Sequence, residues 1–448
     1  MRVPAPSGRS ELRDDVKILI ACTTFTGHLN PMLSIGRILV EEGHEVVFQT
    51  ASMVRDRVEG IGAIFRPFPA EYDYDLRDLD AVFPERKTLP PPERVAFDIK
   101  QIFTAPIPTQ HKGIQEVLRD FPADVVMADA LFFGTYPMLL GPRANRPIVI
   151  TCGIMFLAWH RDDGAPAMLG LPPAQNDAER EKYAAIAKDV EASNVPLVRY
   201  MNECLAGMDV GPMPAGFFDT MVLLPDAYLQ LTVQSFEFPR KDLPKSVHFV
   251  GGLPITPNQA PLPAWAGDLD GSRKVVLVTQ GTASNHDFGQ LVVPTLAALA
   301  DDPDLLVVVS AGGRSIDAIP GPIPGNARLA SYMPLEWLLP KVDALVTNGG
   351  YGTVNQALSF GIPIVAAGQT EDKADVSARI AWFGVGIDLK TDEPTPPALR
   401  QAIRAVLGQP SYRARATSMA REYASIDTRS RILQVIDQVV NTPAKAIA

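Results

Sequence analysis

The feature that most restricts the fold of this chain is a rhythm, in which short, continuously apolar runs alternate with stretches of helical apolar spacing. "VKILIACTTF" (16–25) shows no polar alternation, so it reads as a strand buried on both faces, the habit of parallel sheets. "NPMLSIGRILVEEG" follows at helical spacing and ends on Gly43, a suitable C-terminal cap. "HEVVFQT", "ADVVMAD" and "PIVITCG" are further strands. Strand, helix, strand in this order calls for a parallel sheet with right-handed crossovers. Around residues 251–265, "GGLPITPNQAPLPAW" packs four prolines into a segment without apolar periodicity, which is the composition of a stiff linker. The rhythm then restarts with "KVVLVTQGT", "FGQLVVPTLAALA", "DLLVVVSAGG", "DALVTNGG", "GTVNQALSFG" and "PIVAAG". The reading is an α/β chain of two Rossmann-like lobes whose parallel sheets face across a cleft. The first lobe spans 1–250, the linker 251–265 and the second lobe 266–410. A helical tail covers 411–448, with "ILQVIDQVV" giving one apolar face.

At 448 residues the chain exceeds one ordinary core, in keeping with two domains. A formal charge of −10 without a Lys/Arg cluster opposes a nucleic-acid partner. Three cysteines (Cys22, Cys152, Cys204) have neither metal spacing nor an even count for a disulfide framework. The N-terminal "MRVPAPSGRSELRDD" has no apolar signal-peptide core, and no apolar run is long and uncharged enough to span a bilayer. These features predict a soluble, cytoplasmic protein without a transmembrane segment. Two stretches break the rhythm: "VFPERKTLPPPERVAF", and a longer one from "FLAWHRDDGAPAMLGLPP" to about residue 220. Both are predicted to be substrate-shaping loops.

Candidate chemistry sits at the carboxyl ends of the predicted strands, where open α/β sheets bind ligands. His28, in "TGHLNPML", is one of six histidines and lies where a strand hands over to a helix. An imidazole there is either a catalytic base or a capping or loop residue. In "VTNGGYGTVNQALSFGIPIV" a strand ends at Thr347, three glycines permit a tight turn, and a helix begins near Gly352 with Thr353 in its first turn. Unpaired N–H groups, the helix dipole and a hydroxyl then converge into an anion site, the alternative being a tight turn without ligand. "TQGTAS" (279–284) has the same form, and the two turns together could grip a diphosphate. Neither matches the dinucleotide or P-loop fingerprint. "DLD" at 78–80 and at 268–270 reads as solvated surface, and no His/Asp/Glu cluster has metal spacing.

Taken together, "TGHLNPMLSIGRILVEEGHEV", "ADVVMADALFFG", "VLVTQGT", "ASYMPLEWLLPKVDALVTNGGYGTVNQALSFGIPIV" and "EDKADVSARIAWFGVGIDL" resemble the family 1 glycosyltransferases of the GT-B fold, particularly bacterial natural-product glycosyltransferases. The resemblance implies transfer of a sugar from a UDP- or dTDP-sugar co-substrate to a hydroxyl, with inversion and with no required metal or other cofactor. It implies that His28 is the general base and that Asp129 orients it. Tyr332 matches an aromatic placed against the nucleobase, and Thr282 and Thr353 match phosphate-contacting hydroxyls beside the backbone of Gly350 and Gly352. Gln356 falls where the family usually has a ribose-binding glutamate, and Asn348 where most members have a histidine near the diphosphate. Glu371, Asp372 and Lys373 occupy the region of the family's sugar-binding pair, and Leu335 replaces a usual glutamine. These departures lie at the donor end and leave His28 and Asp129 intact. The expected acceptor is a lipophilic small molecule (natural product, polyketide or phenolic), from the resemblance and from apolar segments such as "LFFGTY" and "MFLAWH". The tail is expected to pack back toward the first lobe, in a monomer or homodimer. A non-catalytic nucleotide-sugar-binding helper of the same fold is the alternative reading, and an epimerase-like enzyme ranks behind it. An intact base and its carboxylate favour the enzyme.

Overall fold

The computed structural model describes residues 16–442 apart from 77–78, 256–260, 283–284 and 301. The "MRVPAPSGRSELRDD" segment, Asp78 of the first "DLD", the middle of the proline-rich linker, Ser284 of "TQGTAS" and the last six residues lie outside this range.

Among the described residues, seven strands build the first sheet: β1 (Lys17–Ala21), β2 (Glu45–Thr50), β3 (Ile64–Pro67), β4 (Val125–Asp129), β5 (Ile148–Gly153), β6 (Ala227–Gln230) and β7 (Val247–Phe249). Their spatial order is β3-β2-β1-β4-β5-β6-β7, and every neighbouring pair is parallel. The second sheet holds β8 (Lys274–Thr279), β9 (Leu305–Ser310), β10 (Ala327–Ala330), β11 (Ala344–Thr347), β12 (Ile364–Ala366) and β13 (Gly386–Asp388), in the order β10-β9-β8-β11-β12-β13, again all parallel. The order reverses beside β1 and beside β8, and at such points the loops leaving neighbouring strands diverge to open a ligand crevice. β1, β4, β5 and β8 are almost fully buried, which is why they are continuously apolar. The short, less buried strands β3, β7, β10 and β13 have no such run and escape a reading by pattern.

Six helices matter for the site: α1 (Thr26–Glu41), α2 (Asp177–Ala206), α3 (Tyr351–Ser359), α4 (Lys373–Trp382), α5 (Pro410–Ser425) and α6 (Thr428–Asn441). A long part of the predicted loop before residue 220 is instead α2, a 30-residue helix capped by Asn176, whose side chain accepts from Glu179 N. Only Tyr183, Met201 and Leu205 of α2 are buried, so it lacks the wide apolar stripe that betrays a helix in sequence. "VFPERKTLPPPERVAF" is also mainly helical turns, with Arg86 paired to Asp80 and Asp98. Asp80 therefore belongs to an ion pair, as does Asp268 with Arg328. Beyond the second sheet the chain returns: Ile432, Leu433, Val435, Ile436 and Val439 of α6 pack into the same apolar cluster as Ile18, Ile20 and Met127 of the first.

Candidate functional site

At the carboxyl edge of the first sheet β1 leads through "CTTF" into α1, and His28 stands in the first turn of that helix, its N–H bonded to Phe25 O at 2.9 Å. The helix begins at Thr26, ahead of the predicted hand-over, so Pro31 lies inside its second turn, where it has no N–H for the helical ladder. β4 lies beside β1 and ends on Asp129. His28 Nδ1 and Asp129 Oδ1 are 2.9 Å apart, and the Thr23 hydroxyl lies 3.3 Å from the same nitrogen. Leu131 N–H also donates to Oδ1, at 3.0 Å. The Asp129 side chain is fully buried and that of His28 is 13% exposed, so the carboxylate is hidden behind an imidazole that reaches the surface. Asp129 Oδ2 is buried with no hydrogen-bond partner among the described residues. Burial, reinforced by the Asp129 carboxylate, pushes the neighbouring Cys22 and Cys152 thiols up, so both stay protonated beside it. Phe103 stacks near the imidazole, with centroids 6.2 Å apart and planes 10° from parallel, and Phe25 lies 5.3 Å away. The sequence gives no signal for Phe103 as a neighbour of His28, because Phe103 arrives from a π-helical turn distant in sequence.

In the second lobe, β8 and β11 are adjacent, with Thr279 level with Thr347, so the two glycine turns emerge side by side. Asn348 Nδ2 donates to Gln280 O at 2.8 Å and ties one turn to the other. Gly349 has φ +93°, and a Cβ there would approach Ser377 Oγ at 2.9 Å. Gly368 is required for a different reason: a Cβ would lie 2.0 Å from Asn348 O. α3 begins at Tyr351, one residue before the predicted start, with Gly350 as its cap. Its first bond runs from Val354 N to Gly350 O, so the N–H groups of Tyr351, Gly352 and Thr353 precede the helical ladder. The space around Gly350 and Gly352 is open. Such a helix start attracts an anion. Gln356 follows Thr353 by three residues on the same face and is half-buried.

A small polar pocket lies where these turns meet α4, lined by Gln280, Asn348, Thr370, Lys373 and Asp392 among others. The Lys373 side chain is 5% exposed and forms an ion pair with Glu371, whose own side chain is 64% exposed. Its ammonium also lies 3.3 Å from Thr370 Oγ1. Burial pushes the Asp372 carboxyl up to about 6, with Lys373 opposing the shift. Thus Asn348 and Lys373 share one pocket, and Gly350, Gly352, Thr353 and Gln356 share one helix start. Thr282 and Tyr332 stand exposed on the loops after β8 and β10. Of the pocket residues, Gln280 lies in the "TQGTAS" turn without having been singled out there, and Asp392 carried no motif.

"LFFGTY" and "MFLAWH", cited above for a lipophilic acceptor, are largely interior: Phe132, Phe133, Tyr136, Met155, Phe156 and Leu157 are buried in an apolar cluster that includes residues of both lobes. Aromatic side chains fill cores as readily as they line clefts, and sequence does not separate the two uses.

The lobes meet through buried polar links. Arg379 of α4, 1% exposed, bonds Glu237 Oε2 at 2.9 Å and packs over Phe156 and Phe238. Gly170 N–H donates to Asp375 at 3.1 Å. Among the described residues no cluster of three or more His, Cys, Asp or Glu side chains is placed to hold a metal, and no helix is long and apolar enough to cross a membrane.

Two parallel-sheet lobes with apposed carboxyl edges are the architecture of the GT-B glycosyltransferases. The calicheamicin glycosyltransferase CalG4 superposes with a TM-score of 0.69 at 20% identity, over 96% of this chain and all of that one. The glycosyltransferase SnogD from Streptomyces nogalater gives 0.64 at 18%, over 95% of this chain and 99% of that one. Residues 293–439 match the family model described as "Erythromycin biosynthesis protein CIII-like, C-terminal domain". In sequence the chain is 35% identical to 4'-demethylrebeccamycin synthase of Lentzea aerocolonigenes, over 95% of this chain and 99% of that protein. It is 36% identical to UDP-glycosyltransferase 2 of Phaeomoniella chlamydospora, over 94% and 95% of the two chains. The chain belongs to the family 1 glycosyltransferases, of the natural-product type, and is a hexosyltransferase.

Proposed function

We propose that the protein is an inverting glycosyltransferase that moves a hexose from a UDP- or dTDP-sugar to a hydroxyl of a lipophilic small molecule, with His28 as general base. The observation that carries the mechanism is the 2.9 Å contact between His28 Nδ1 and the buried Asp129 carboxylate. Donation of Nδ1–H to Asp129 leaves the Nε2 lone pair to take the acceptor's hydroxyl proton. The freed oxygen attacks the anomeric carbon as the bond from that carbon to the diphosphate breaks on the opposite face. A single displacement of this kind inverts the centre. Asp129 holds the imidazole in the required tautomer and stabilises the imidazolium that forms. At the other lobe the Gly352 and Thr353 N–H groups and the Thr353 hydroxyl receive the departing diphosphate. Asn348 lies beside the diphosphate, Gln356 holds the ribose, Glu371, Asp372 and Lys373 meet the sugar, Thr282 adds a second hydroxyl to the phosphates, and Tyr332 stacks on the base. Fixed neutral donors and one lysine supply the charge stabilisation that a metal provides elsewhere, so the reaction proceeds without one. Residues 1–250 with the tail 411–448 form the acceptor side and 266–410 the donor side.

UDP is in the names of several relatives, and the fold is shared with VinC, a glycosyltransferase solved with dTDP, which supports these two donors. The spinosyn rhamnosyltransferase SpnG, solved with spinosyn aglycone, supports a lipophilic acceptor. The test is incubation with α-configured UDP-glucose or dTDP-glucose, with EDTA present, across a panel of flat phenols. Mass spectrometry reads the glycoside and the proton coupling of its anomeric centre reads the stereochemistry. A β-glycoside is expected. An α-glycoside, or formation only after a divalent ion is restored, would overturn the mechanism.

A further inference from the structure

The turn that the proposed function assigns to the diphosphate has almost no side chains of its own. Of residues 349–352 only Tyr351 is not glycine, and nothing lies within 4 Å of where a Cβ on Gly350 or Gly352 would be. Tyr351 does not turn into the donor lobe. Its hydroxyl crosses to the acceptor lobe and accepts from Gln230 Nε2 at 2.6 Å, while the same amide nitrogen donates to Met155 O at 2.8 Å. The ring is 5% exposed, and burial pushes the phenol far above its ordinary pKa, so it remains a neutral hydrogen-bonding group. One turn further along α3, Asn355 repeats the crossing: it bonds the Thr232 and Tyr423 hydroxyls, and its own Nδ2 donates back to Tyr351 O at 2.9 Å.

Gln230 is the last residue of β6, level with Gly153 of β5, while Asp129 ends β4 level with Cys152. The residue that grips the donor turn and the residue that orients His28 thus sit on one sheet edge, two strands apart. Strand spacing makes that separation roughly 10 Å, through rigid hydrogen-bonded backbone. We infer that Tyr351 and Gln230 are positioning residues that register the donor turn against the His28–Asp129 pair. They touch neither substrate. Their effect is on the distance and angle between the anomeric carbon and the base, to which a displacement reaction is steeply sensitive.

The inference rests on the proposed donor site, and its test separates the two. Tyr351→Phe removes the hydroxyl and keeps the buried ring, and Gln230→Met removes the amide at similar volume. Each variant is checked for folding by its melting temperature, then titrated calorimetrically with UDP and dTDP and assayed for turnover with the donor and phenol that the wild type uses. Affinity for the nucleotide is expected to stay within about threefold of wild type, because the Gly352 and Thr353 backbone groups remain. Turnover is expected to fall roughly 10- to 100-fold in either variant. Gln230→Met also loses the bond to Met155 O, so it is expected to be the more impaired single, and the double variant should be no worse than it, since the bond between the two side chains is already gone. If Tyr351→Phe does not fold, Gln230→Met alone carries the test. Turnover within about a factor of two of wild type, losses that multiply in the double variant, or a lost affinity that accounts for the whole effect would overturn the assignment. A wild type that binds neither UDP nor dTDP would overturn the donor-site reading, and this inference with it.

Discussion

Asp129→Asn separates charge from shape at the centre of the proposed mechanism. The side chain is fully buried, and its Oδ1 accepts from both His28 Nδ1–H and Leu131 N–H. The Leu131 amide requires an acceptor at that point, so the asparagine presents its oxygen there and His28 keeps its hydrogen bond. What disappears is the negative charge. Two unit charges about 4 Å apart interact by roughly 4 kcal/mol at the effective dielectric of a protein surface, and burial of the carboxylate keeps the loss near that figure. Part of it is recovered by the amide dipole, leaving about 2–4 kcal/mol of lost imidazolium stabilisation in the transition state. This corresponds to a fall in kcat of roughly 30- to 1,000-fold. Nucleotide affinity should not change, because the donor turns lie on the other sheet. Initial rates at saturating donor, followed by chromatography and mass spectrometry, give kcat, and calorimetry gives the affinity. A kcat within about threefold of wild type in a folded Asp129→Asn protein would show that the carboxylate only caps the end of β4.

Three further outcomes are expected. His28→Ala should lower turnover about 10²- to 10⁴-fold with UDP or dTDP affinity preserved, read by initial rates and by calorimetry respectively. Thr353→Val removes one hydroxyl from the start of α3 at nearly constant volume. Loss of a hydrogen bond to a charged group costs roughly 1.5–3 kcal/mol, so calorimetric affinity for the nucleotide should fall about 10- to 100-fold. Asp372 titrates near 6 in the folded chain against 3.8 for a free aspartate, so the native state holds more protons between those values and stability declines as pH rises through that window. Asp372→Asn should lose this slope, so its melting temperature should gain on wild type from the lower to the upper end of the window, and parallel curves would refute the shift.

The sequence by itself determined the two-lobed parallel architecture and put the candidate residues at strand ends. β1, β4, β5, β8, β9 and β11 are buried on both faces, and a strand in that environment has no polar positions, so its apolar run is visible without neighbours. The glycine turn before α3 was legible for a related reason: the positive φ at Gly349 demands glycine wherever the rest of the chain goes. His28 was visible as a residue at a strand-to-helix passage, and its pairing with Asp129 was available only through the family resemblance. The long helix α2, the core placement of Phe133 and Phe156, the stacking of Phe103 near His28 and the crossing of Tyr351 to Gln230 were not legible. Each depends on what lies opposite a side chain, and contacts between residues 101 or 121 positions apart leave no periodic trace in the chain. Local pattern reports a residue's own backbone and burial. Which surfaces two sheets turn toward each other is decided by packing of the whole molecule, and so is the register of the donor turn against the base.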